Sequence, residues 1–266
     1  MQRIEATKLI DPLPIYTMWL REMKRFLRVK GRLVSSILMP LFFLAFLGLP
    51  LSSISAIGIE GIPEGINYLD FLAPGIIGMT LLFTATMSAV SVVWDKEFGF
   101  LKEVLVAPVN RFSIILGRSL GGMTTAIIQA LIIMAIAVAV FGVTISSISG
   151  FFLSIFFMIL TCATFTGFGL ILATRLGSTE AFMAIMPLVV FPIFFLSGAL
   201  FPLDSMPAGI RYIMYVDPLT YGVDGLRGSL VGAAAFPVWL DFTVLLALSI
   251  VLASLGAYFF SKMEAD

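Results

Sequence analysis

Long stretches without a charged residue alternate with short polar segments along most of this chain. Five stretches contain no Asp, Glu, Lys or Arg, and they cover positions 33–59, 71–94, 119–174, 181–203 and 242–261. A helix that crosses a membrane needs about 20 mostly apolar residues at about 1.5 Å rise per residue. The third stretch is long enough for two helices, and the Gly- and Ser-containing segment 141–150 is typical of a connection between them. The pattern therefore predicts six membrane-spanning helices.

The basic residues predict the orientation of these spans, because Lys and Arg in short loops are retained on the cytoplasmic side of a membrane. Fourteen of the sixteen fall on one face of a six-span topology, eight of them before residue 33. The other face carries Arg211 and Arg227 beside seven carboxylates. We therefore expect both termini in the cytoplasm. The first uncharged stretch is too long for the apolar part of a signal peptide, so we expect it to remain in the mature protein.

Composition excludes several classes of function. Of the 266 residues, 60% are apolar and 12% are charged, and the mean hydropathy of +1.09 indicates lipid as the solvent. The formal net charge is zero, which gives no support to a nucleic-acid partner. With no His and the single cysteine Cys162, His catalysis, an intrachain disulfide and a Cys/His zinc site are excluded. The sequence also has no phosphate-binding G-x-x-x-x-G-K-[ST] motif and no G-x-S-x-G motif, so we expect energy to come from another protein.

Residues 15–32, before the first span, have the periodicity of an amphipathic helix. A basic stripe that includes Arg21, Lys24 and Arg25 lies opposite Trp19 and Phe26 at 100° per residue. This pattern predicts a helix in the cytoplasmic headgroup layer. It either anchors the topology only or also couples motion to the first span.

A second amphipathic segment connects the second and third predicted spans. Phe98, Leu101, Val104 and Leu105 recur at helical spacing, and the helix should end before Pro108. Two interpretations fit equally: the apolar stripe rests on the bilayer surface, or it docks into a groove on a cytosolic partner.

The connection 202–237 is neither polar enough for a free loop nor apolar enough to cross the membrane. Asp217 and Pro218 form a typical helix start, and Asp224 can pair with Arg227 at i, i+3. Because backbone at membrane depth must be covered by protein or line a cavity, we expect a re-entrant helical hairpin on the outer half.

Small residues and prolines add expectations about packing. Gly117 and Gly121 form a G-x-x-x-G pair that can support assembly with another helix. Pro40, Pro187 and Pro192 should bend their spans, which either serves a moving gate or only shapes the bundle.

Three blocks of sequence occur in a specific order on the six spans. The first block is 70–75 (DFLAPG). The second covers 97–111 and contains Glu97-Phe-Gly99, Leu101, Val106-Ala-Pro108 and Arg111. The third covers 191–227 and contains FPIFFLSGALFP, Met206-Pro207, Arg211, DPLTY and Asp224-Gly-Leu-Arg227. Together they resemble the membrane subunit of ABC exporters of the ABC-2 type, particularly the drug-resistance and nodulation-export branch. The resemblance covers most of the chain. The sequence departs at Phe100, where many relatives carry a small hydroxyl residue after the glycine.

The resemblance implies an all-α integral membrane protein with one domain over residues 1–266. That domain has a cytoplasmic amphipathic segment at 1–32 and a six-helix bundle at 33–261, with a coupling helix and an outer re-entrant hairpin. It also implies assembly with two separate P-loop ATPase subunits, which bind ATP and Mg, and with a second permease copy that is identical or closely related. This chain itself is expected to bind no cofactor, to contact membrane lipid and to lie in a prokaryotic inner membrane.

The candidate site residues fall into three groups. Coupling to the ATPase is assigned to Glu97, Phe98, Gly99, Leu101, Glu103, Leu105, Pro108 and Arg111. The substrate path is assigned, from polar and aromatic residues of the spans, to Phe42, Phe46, Phe83, Thr84, Phe191, Phe194, Phe195 and Ser197. The re-entrant hairpin is assigned to Asp217, Pro218, Tyr221, Asp224 and Arg227.

The resulting functional hypothesis is a permease subunit that exports hydrophobic or amphipathic small molecules, drug-like or lipid-like. One alternative keeps the machine and changes the cargo to a lipid-linked glycan. A channel or secondary carrier that needs no ATPase is disfavoured, because the six spans contain no charged residue. A membrane enzyme is weaker still, since no set of nucleophile, base and metal ligand occurs.

We predict that Leu101→Asp or Leu105→Asp separates ATP hydrolysis from export, because a carboxylate in the apolar stripe prevents its burial in a partner groove. The measurement is transport and ATPase activity in the same vesicles, with membrane insertion as the control. Full transport by a correctly inserted variant would contradict the assignment.

Overall fold

The computed structural model describes residues 11–54, 61–63, 65–98, 110–176 and 178–262. Within these ranges the chain forms helices, turns and loops, with no β-strand. The α-helices are α1 (Pro12–Arg28), α2 (Lys30–Phe43), α3 (Leu49–Ile54), α4 (Tyr68–Ser88), α5 (Val90–Glu97), α6 (Arg111–Phe141), α7 (Ile148–Arg175), α8 (Thr179–Leu196), α9 (Ala208–Met214), α10 (Pro218–Leu230) and α11 (Val238–Ser261). The predicted coupling residues Gly99, Leu101, Glu103, Leu105 and Pro108 lie outside the described residues.

Six segments of the described chain are long and apolar enough to span a membrane, which confirms the prediction. They are Val34–Ser53, Tyr68–Glu97, Arg111–Phe141, Ile148–Arg175, Thr179–Leu196 and Val238–Ser261. Several helices extend beyond the uncharged stretches, because charged residues end the apolar layer without ending the helix. The predicted connection in 141–150 lies between α6 and α7, where Gly142 adopts a left-handed φ of 72°.

The bundle has two ends, named here by their helices. The coupling face is the end at which α5 and α11 finish and α6 and α8 begin. The distal face is the opposite end, where α9 and α10 lie. The second span, α4 with α5, is the most buried of the six and packs against α6, α7 and α10. It is therefore the central element of the fold.

The first span is not a regular α-helix. Pro40 lies inside α2, and a π-helical turn at Leu44–Gly48 joins α2 to α3. Proline has no N–H to donate, and wide turns of this kind usually accommodate one additional residue. The turn packs against α4, since a Cβ added to Gly48 would lie 2.5 Å from the Leu69 side chain.

Glycines allow the fourth and sixth spans, α7 and α11, to pack at backbone distance. A Cβ on Gly167 would lie 2.6 Å from the backbone of Ala253, and one on Gly256 would lie 2.9 Å from the carbonyl oxygen of Gly167. This is the small-residue packing that replaces a hydrophobic driving force between helices in lipid.

The amphipathic helix before the first span starts earlier than predicted, at Pro12 with Asp11 as its N-cap. It packs against the beginning of α6, and the Trp19 indole donates a hydrogen bond to the Thr124 hydroxyl at 3.1 Å. A Cβ on Gly117 would lie 2.5 Å from the Ile15 carbonyl oxygen. The pair Gly117 and Gly121 therefore receives another helix, as its spacing indicates. That helix is α1 of the same chain.

We predict that Gly167→Ala lowers the free energy of unfolding by about 1–3 kcal/mol, because the added methyl group pushes two backbones apart. The check is thermal unfolding in detergent. Gly209→Ala is the matched control, since a Cβ there meets nothing within 4 Å, and it should leave stability unchanged or slightly higher. Equal melting temperatures for the two variants would contradict close packing of α7 and α11.

Candidate functional site

An apolar cleft of about 370 Å³ lies between the first, second and fifth spans, and α6 closes its back. Its walls are mainly methionine and aromatic side chains. The lining residues are Ser35, Ser36, Met39, Pro40, Phe43, Met79, Thr80, Phe83, Thr84, Met87, Val90, Trp94, Gln129, Met183 and Phe191. Methionine is flexible and polarizable, so such a wall adapts to ligands of different shape.

A hydrogen-bonded polar pair lies in the largely apolar wall. The Thr84 hydroxyl donates a hydrogen bond of 2.6 Å to the Gln129 side-chain oxygen, and Gln129 is 2% exposed. A glutamine amide buried among apolar spans is costly unless it is hydrogen-bonded. The hydrogen bond from Thr84 therefore satisfies the side-chain oxygen of Gln129. Gln129 is also one of the residues that line the cleft.

A second, smaller cavity of about 110 Å³ continues from the cleft toward α1, and we call it the vestibule. The two cavities share four lining residues, which are Thr84, Val90, Trp94 and Gln129. Glu22 and Arg25 of α1 line the vestibule, and the Arg25 guanidinium lies 4.3 Å from the centroid of the Trp94 ring. The cleft thus has a polar, charged end near the coupling face.

The predicted substrate-path residues occupy different environments. Phe83, Thr84 and Phe191 line the cleft, and the Phe83 and Phe191 rings meet edge to face at 5.3 Å. Phe195 stacks on Phe191 at 6.2 Å but is half-exposed and is not part of the lining. The three predicted phenylalanines on this wall therefore form one aromatic group with two members in the cleft.

The other four predicted path residues do not line the cleft. Phe42 and Phe46 stack on each other at 5.5 Å on the exposed face of the first span. Phe194 is buried against Phe43 at 6.0 Å, and the Ser197 hydroxyl donates to the carbonyl of Phe194. Helical geometry explains the difference, because Phe43 points about 100° away from its neighbour Phe42 and so reaches the cleft.

The assignment from sequence left out the methionines and Trp94, and it did not separate Phe43 and Gln129 from the other aromatic and polar residues of the spans. Gln129 carries the only side-chain amide of the uncharged stretch 119–174, which is the signal that could have marked it. No comparable signal marks Met79 or Met183, since apolar residues are common in every span.

The described ends of the coupling segment are tied to neighbouring spans. The Glu97 carboxylate accepts hydrogen bonds from the Thr179 hydroxyl at 2.5 Å and from its amide at 3.3 Å, at the start of α8. Arg111 donates to the carbonyl of Ser261 at 2.9 Å, at the end of α11. Phe98 is 81% exposed at the coupling face. The residues that flank the segment, Glu97 and Arg111, are therefore bonded directly to the fifth and sixth spans.

Three of the residues predicted for the outer hairpin, Asp217, Asp224 and Arg227, are buried on the distal face, and Pro218 and Tyr221 are partly exposed. Asp217 caps α10 by accepting from the Leu219 amide at 2.8 Å, with Pro218 at the first helical position, as predicted. The Tyr221 hydroxyl donates to the Tyr215 carbonyl at 2.7 Å. α9 and α10 follow one another on this face, and the re-entrant hairpin stays a prediction.

The predicted ion pair between Asp224 and Arg227 does not form. Asp224 accepts from the amides of Ala235 and Phe236 at 2.8 Å, so it fixes the loop before α11. Arg227 donates to the carbonyls of Phe71 at 3.2 Å and Gly198 at 3.0 Å. Each charged side chain is thus hydrogen-bonded to backbone groups and not to the other.

Arg227 is fully enclosed, with its guanidinium 3.7 Å from the centroid of the Phe71 ring. Burial lowers the pKa of Arg227 to about 10, which still leaves it charged at neutral pH. Its bonds join α10 to the start of α4 and to the turn after α8. Arg227 therefore ties three distal segments together.

We predict a pH-dependent stability from Asp217. Burial raises its pKa from 3.8 to about 7, an effect only partly offset by the hydrogen bond from Leu219. Between these values the folded state retains a proton that the unfolded state has lost, so the contribution to stability falls as pH rises through this window. Asp217→Asn keeps an acceptor for the Leu219 amide and removes the ionisation.

Relative to the wild type, Asp217→Asn should gain stability as pH is raised from about 5 to about 7.5, as measured by thermal unfolding. The matched control is Asp204→Asn, whose side chain is 75% exposed on the same face. A difference curve that stays flat across the window for Asp217→Asn would refute the prediction.

Comparison with known proteins gives consistent matches. The ABC-2 type transporter family matches residues 14–231. The chain is 34% identical over 206 residues to the putative transport permease ycf38 of Cyanophora paradoxa, covering 76% of this chain and 70% of that protein. It is 27% identical over 232 residues to the inner membrane transport permease YadH of Escherichia coli, covering 86% and 87%. The probable multidrug ABC transporter permease YbhR of Escherichia coli is 25% identical over 161 residues, which are 60% of this chain and 43% of that protein. Because the family match extends over most of its length, this chain belongs to the ABC-2 type transporter family.

Proposed function

We propose that this chain is the permease subunit of an ATP-driven exporter of hydrophobic or amphipathic small molecules. The observation that carries the proposal is the apolar cleft of about 370 Å³ that opens into a charged vestibule. Apolar burial and contact with the Phe83 and Phe191 rings favour a hydrophobic ligand body. The Gln129 amide and the vestibule favour a polar group at one end of that ligand. The relative YbhR is itself named a probable multidrug ABC transporter permease, which agrees with this substrate class.

The energy source in this proposal is a separate pair of P-loop ATPases, which hold ATP and Mg. The sequence lacks a phosphate-binding loop of its own, and the exposed Phe98 begins the segment that would enter a groove on such a partner. The bonds from Glu97 to Thr179 and from Arg111 to Ser261 would carry displacement of that segment into the fifth and sixth spans. A second permease copy, identical or related, completes the transporter.

The coupling face is the cytoplasmic face in this proposal, so the vestibule opens toward the cytoplasm and the termini lie on that side. The excess of Lys and Arg near this face supports the orientation. Substrate would then enter the cleft from the cytoplasm or the inner leaflet and leave on the distal side of a prokaryotic inner membrane.

The first experiment is purification from the native membrane in mild detergent, with mass spectrometry of the proteins that accompany the chain. Recovery of a stoichiometric protein with a P-loop motif is the expected result. The complex is then reconstituted in vesicles, and transport of a fluorescent hydrophobic dye is measured with and without ATP. Transport that proceeds fully without nucleotide would favour a carrier or channel and overturn the proposal. Transport restricted to a lipid-linked glycan would replace the substrate class.

We predict that Phe83→Ala or Phe191→Ala weakens dye binding by about threefold to tenfold, because each variant removes one ring of the edge-to-face pair on the cleft wall. The measurement is dye affinity by fluorescence titration, together with ATP-dependent transport. Phe156→Ala is the matched control, since Phe156 is 59% exposed on α7 and does not line the cleft.

Phe46→Ala tests whether the substrate contacts the residues that line the cleft or also the exposed phenylalanines predicted from sequence. Phe46 was predicted for the path but is 70% exposed and outside the cleft, so its replacement should leave dye affinity unchanged. A larger loss with Phe46→Ala than with Phe83→Ala would place the substrate on the other face of the first span.

A further inference from the structure

A charge cluster around a buried carboxylate lies beside the vestibule, and none of its three residues lines the cleft. The Asp95 carboxylate, on the last turn of α5, is 6% exposed. Arg21 of α1 donates to both of its oxygens, at 2.9 Å and 3.2 Å. Arg118 of α6, also 6% exposed, donates to one of the same oxygens. One carboxylate thus joins three helices, and we call this group the Asp95 clamp.

The position of the clamp in the chain relates it to the coupling segment. Asp95 lies three residues before Phe98, at the end of the second span, and Arg118 lies on the second turn of α6, the helix that follows the segment. The clamp therefore connects the helix that enters the coupling segment with the helix that leaves it. Arg21 adds α1 to the same point of attachment.

The clamp is also adjacent to the substrate cavity. Trp94 precedes Asp95 on α5 and lines both the cleft and the vestibule. Glu22 follows Arg21 on α1 and lines the vestibule, where Arg25 covers the Trp94 ring. One turn of α5 and one turn of α1 thus carry the clamp and the vestibule wall on neighbouring residues. A displacement of Asp95 relative to α1 would change the vestibule directly.

The hydrogen bonding of the cluster is incomplete. Two arginines share one carboxylate, and Arg118 retains buried Nε and Nη1 atoms without a hydrogen-bond partner. A buried ion pair is weak evidence for stability, because desolvation offsets much of its attraction. An incompletely satisfied network that fixes the relative positions of three helices is better explained by a positioning role.

We propose that Asp95 is a positioning residue that makes α1 and both helices flanking the coupling segment move as one unit, so that force on the segment reshapes the vestibule. This inference rests on the proposed function. It assigns α1 a mechanical role in addition to any role as a membrane anchor. Loss of the clamp should leave substrate binding and ATP hydrolysis in place and separate them from transport.

The test uses the reconstituted complex with its ATPase and the fluorescent dye. Asp95→Asn removes the charge and keeps the shape. We expect dye affinity and ATPase rate within about twofold of the wild type, and transport per ATP hydrolysed at least tenfold lower. Arg175→Gln is the matched control, because Arg175 is a cation at the coupling face that stacks on Phe259 outside the clamp, and it should transport normally.

A charge-exchange variant is the control for misfolding of the single variants. Asp95→Arg combined with Arg118→Asp restores an ion pair between α5 and α6 but leaves Arg21 facing a guanidinium, so it should recover part of the transport that Asp95→Arg alone loses. If transport per ATP hydrolysed is unchanged in Asp95→Asn, the proposed positioning role of Asp95 is overturned. Failure of Asp95→Asn and of the exchanged pair to fold, by thermal unfolding, would show a purely structural role and overturn it as well. Absence of ATP-dependent transport in the wild type would instead overturn the proposed function.

Discussion

A polar group that is removed from water must find its partner within the protein, and this constraint organises both ends of the bundle. Arg227 is satisfied by two backbone carbonyls, and in doing so it joins α10 to α4 and to the turn after α8. Asp95 is satisfied by two arginines and joins three helices at the coupling face. Between these ends the spans are largely apolar, and the Thr84 hydroxyl satisfies the side-chain oxygen of Gln129 at 2.6 Å. The charged groups at the two ends therefore hold several helices together, whereas the apolar region between them contains the cleft.

The second span connects all of these features. Its first turn provides the carbonyl of Phe71 for Arg227, its middle provides Phe83 and Thr84 for the cleft, and its end provides Trp94 and Asp95. It is also the most buried span, so it cannot move without its neighbours. The fifth span has few buried residues and meets the second at Phe83 and Phe191. A change in cleft width is thus more easily made by the first and fifth spans than by the central one.

The sequence was sufficient for features that depend on local pattern. The six spans follow from the length of the uncharged stretches, and the start of α10 follows from Asp217 and Pro218, because capping involves residues two positions apart. The partners of Asp224 and Arg227 could not be predicted in this way, since spacing favoured an i, i+3 pair while the actual partners are backbone groups up to 156 positions away. Gly117 shows the same limit: its spacing indicates close helix packing but not which helix approaches. On the first span, composition identified aromatic residues without distinguishing Phe43, which faces the cleft, from its exposed neighbour.

The π-helical turn at Leu44–Gly48 has a consequence for comparison among relatives. A turn of this type accommodates one residue more than an α-helical turn and confines the excess to a single place. A homologous protein that is one residue shorter there would form an ordinary helix through the same region and keep Pro40 and Gly48 at their present depths. Pairwise alignments of first spans should therefore place single-residue gaps within this turn, and residues on either side should be compared only after that offset is applied.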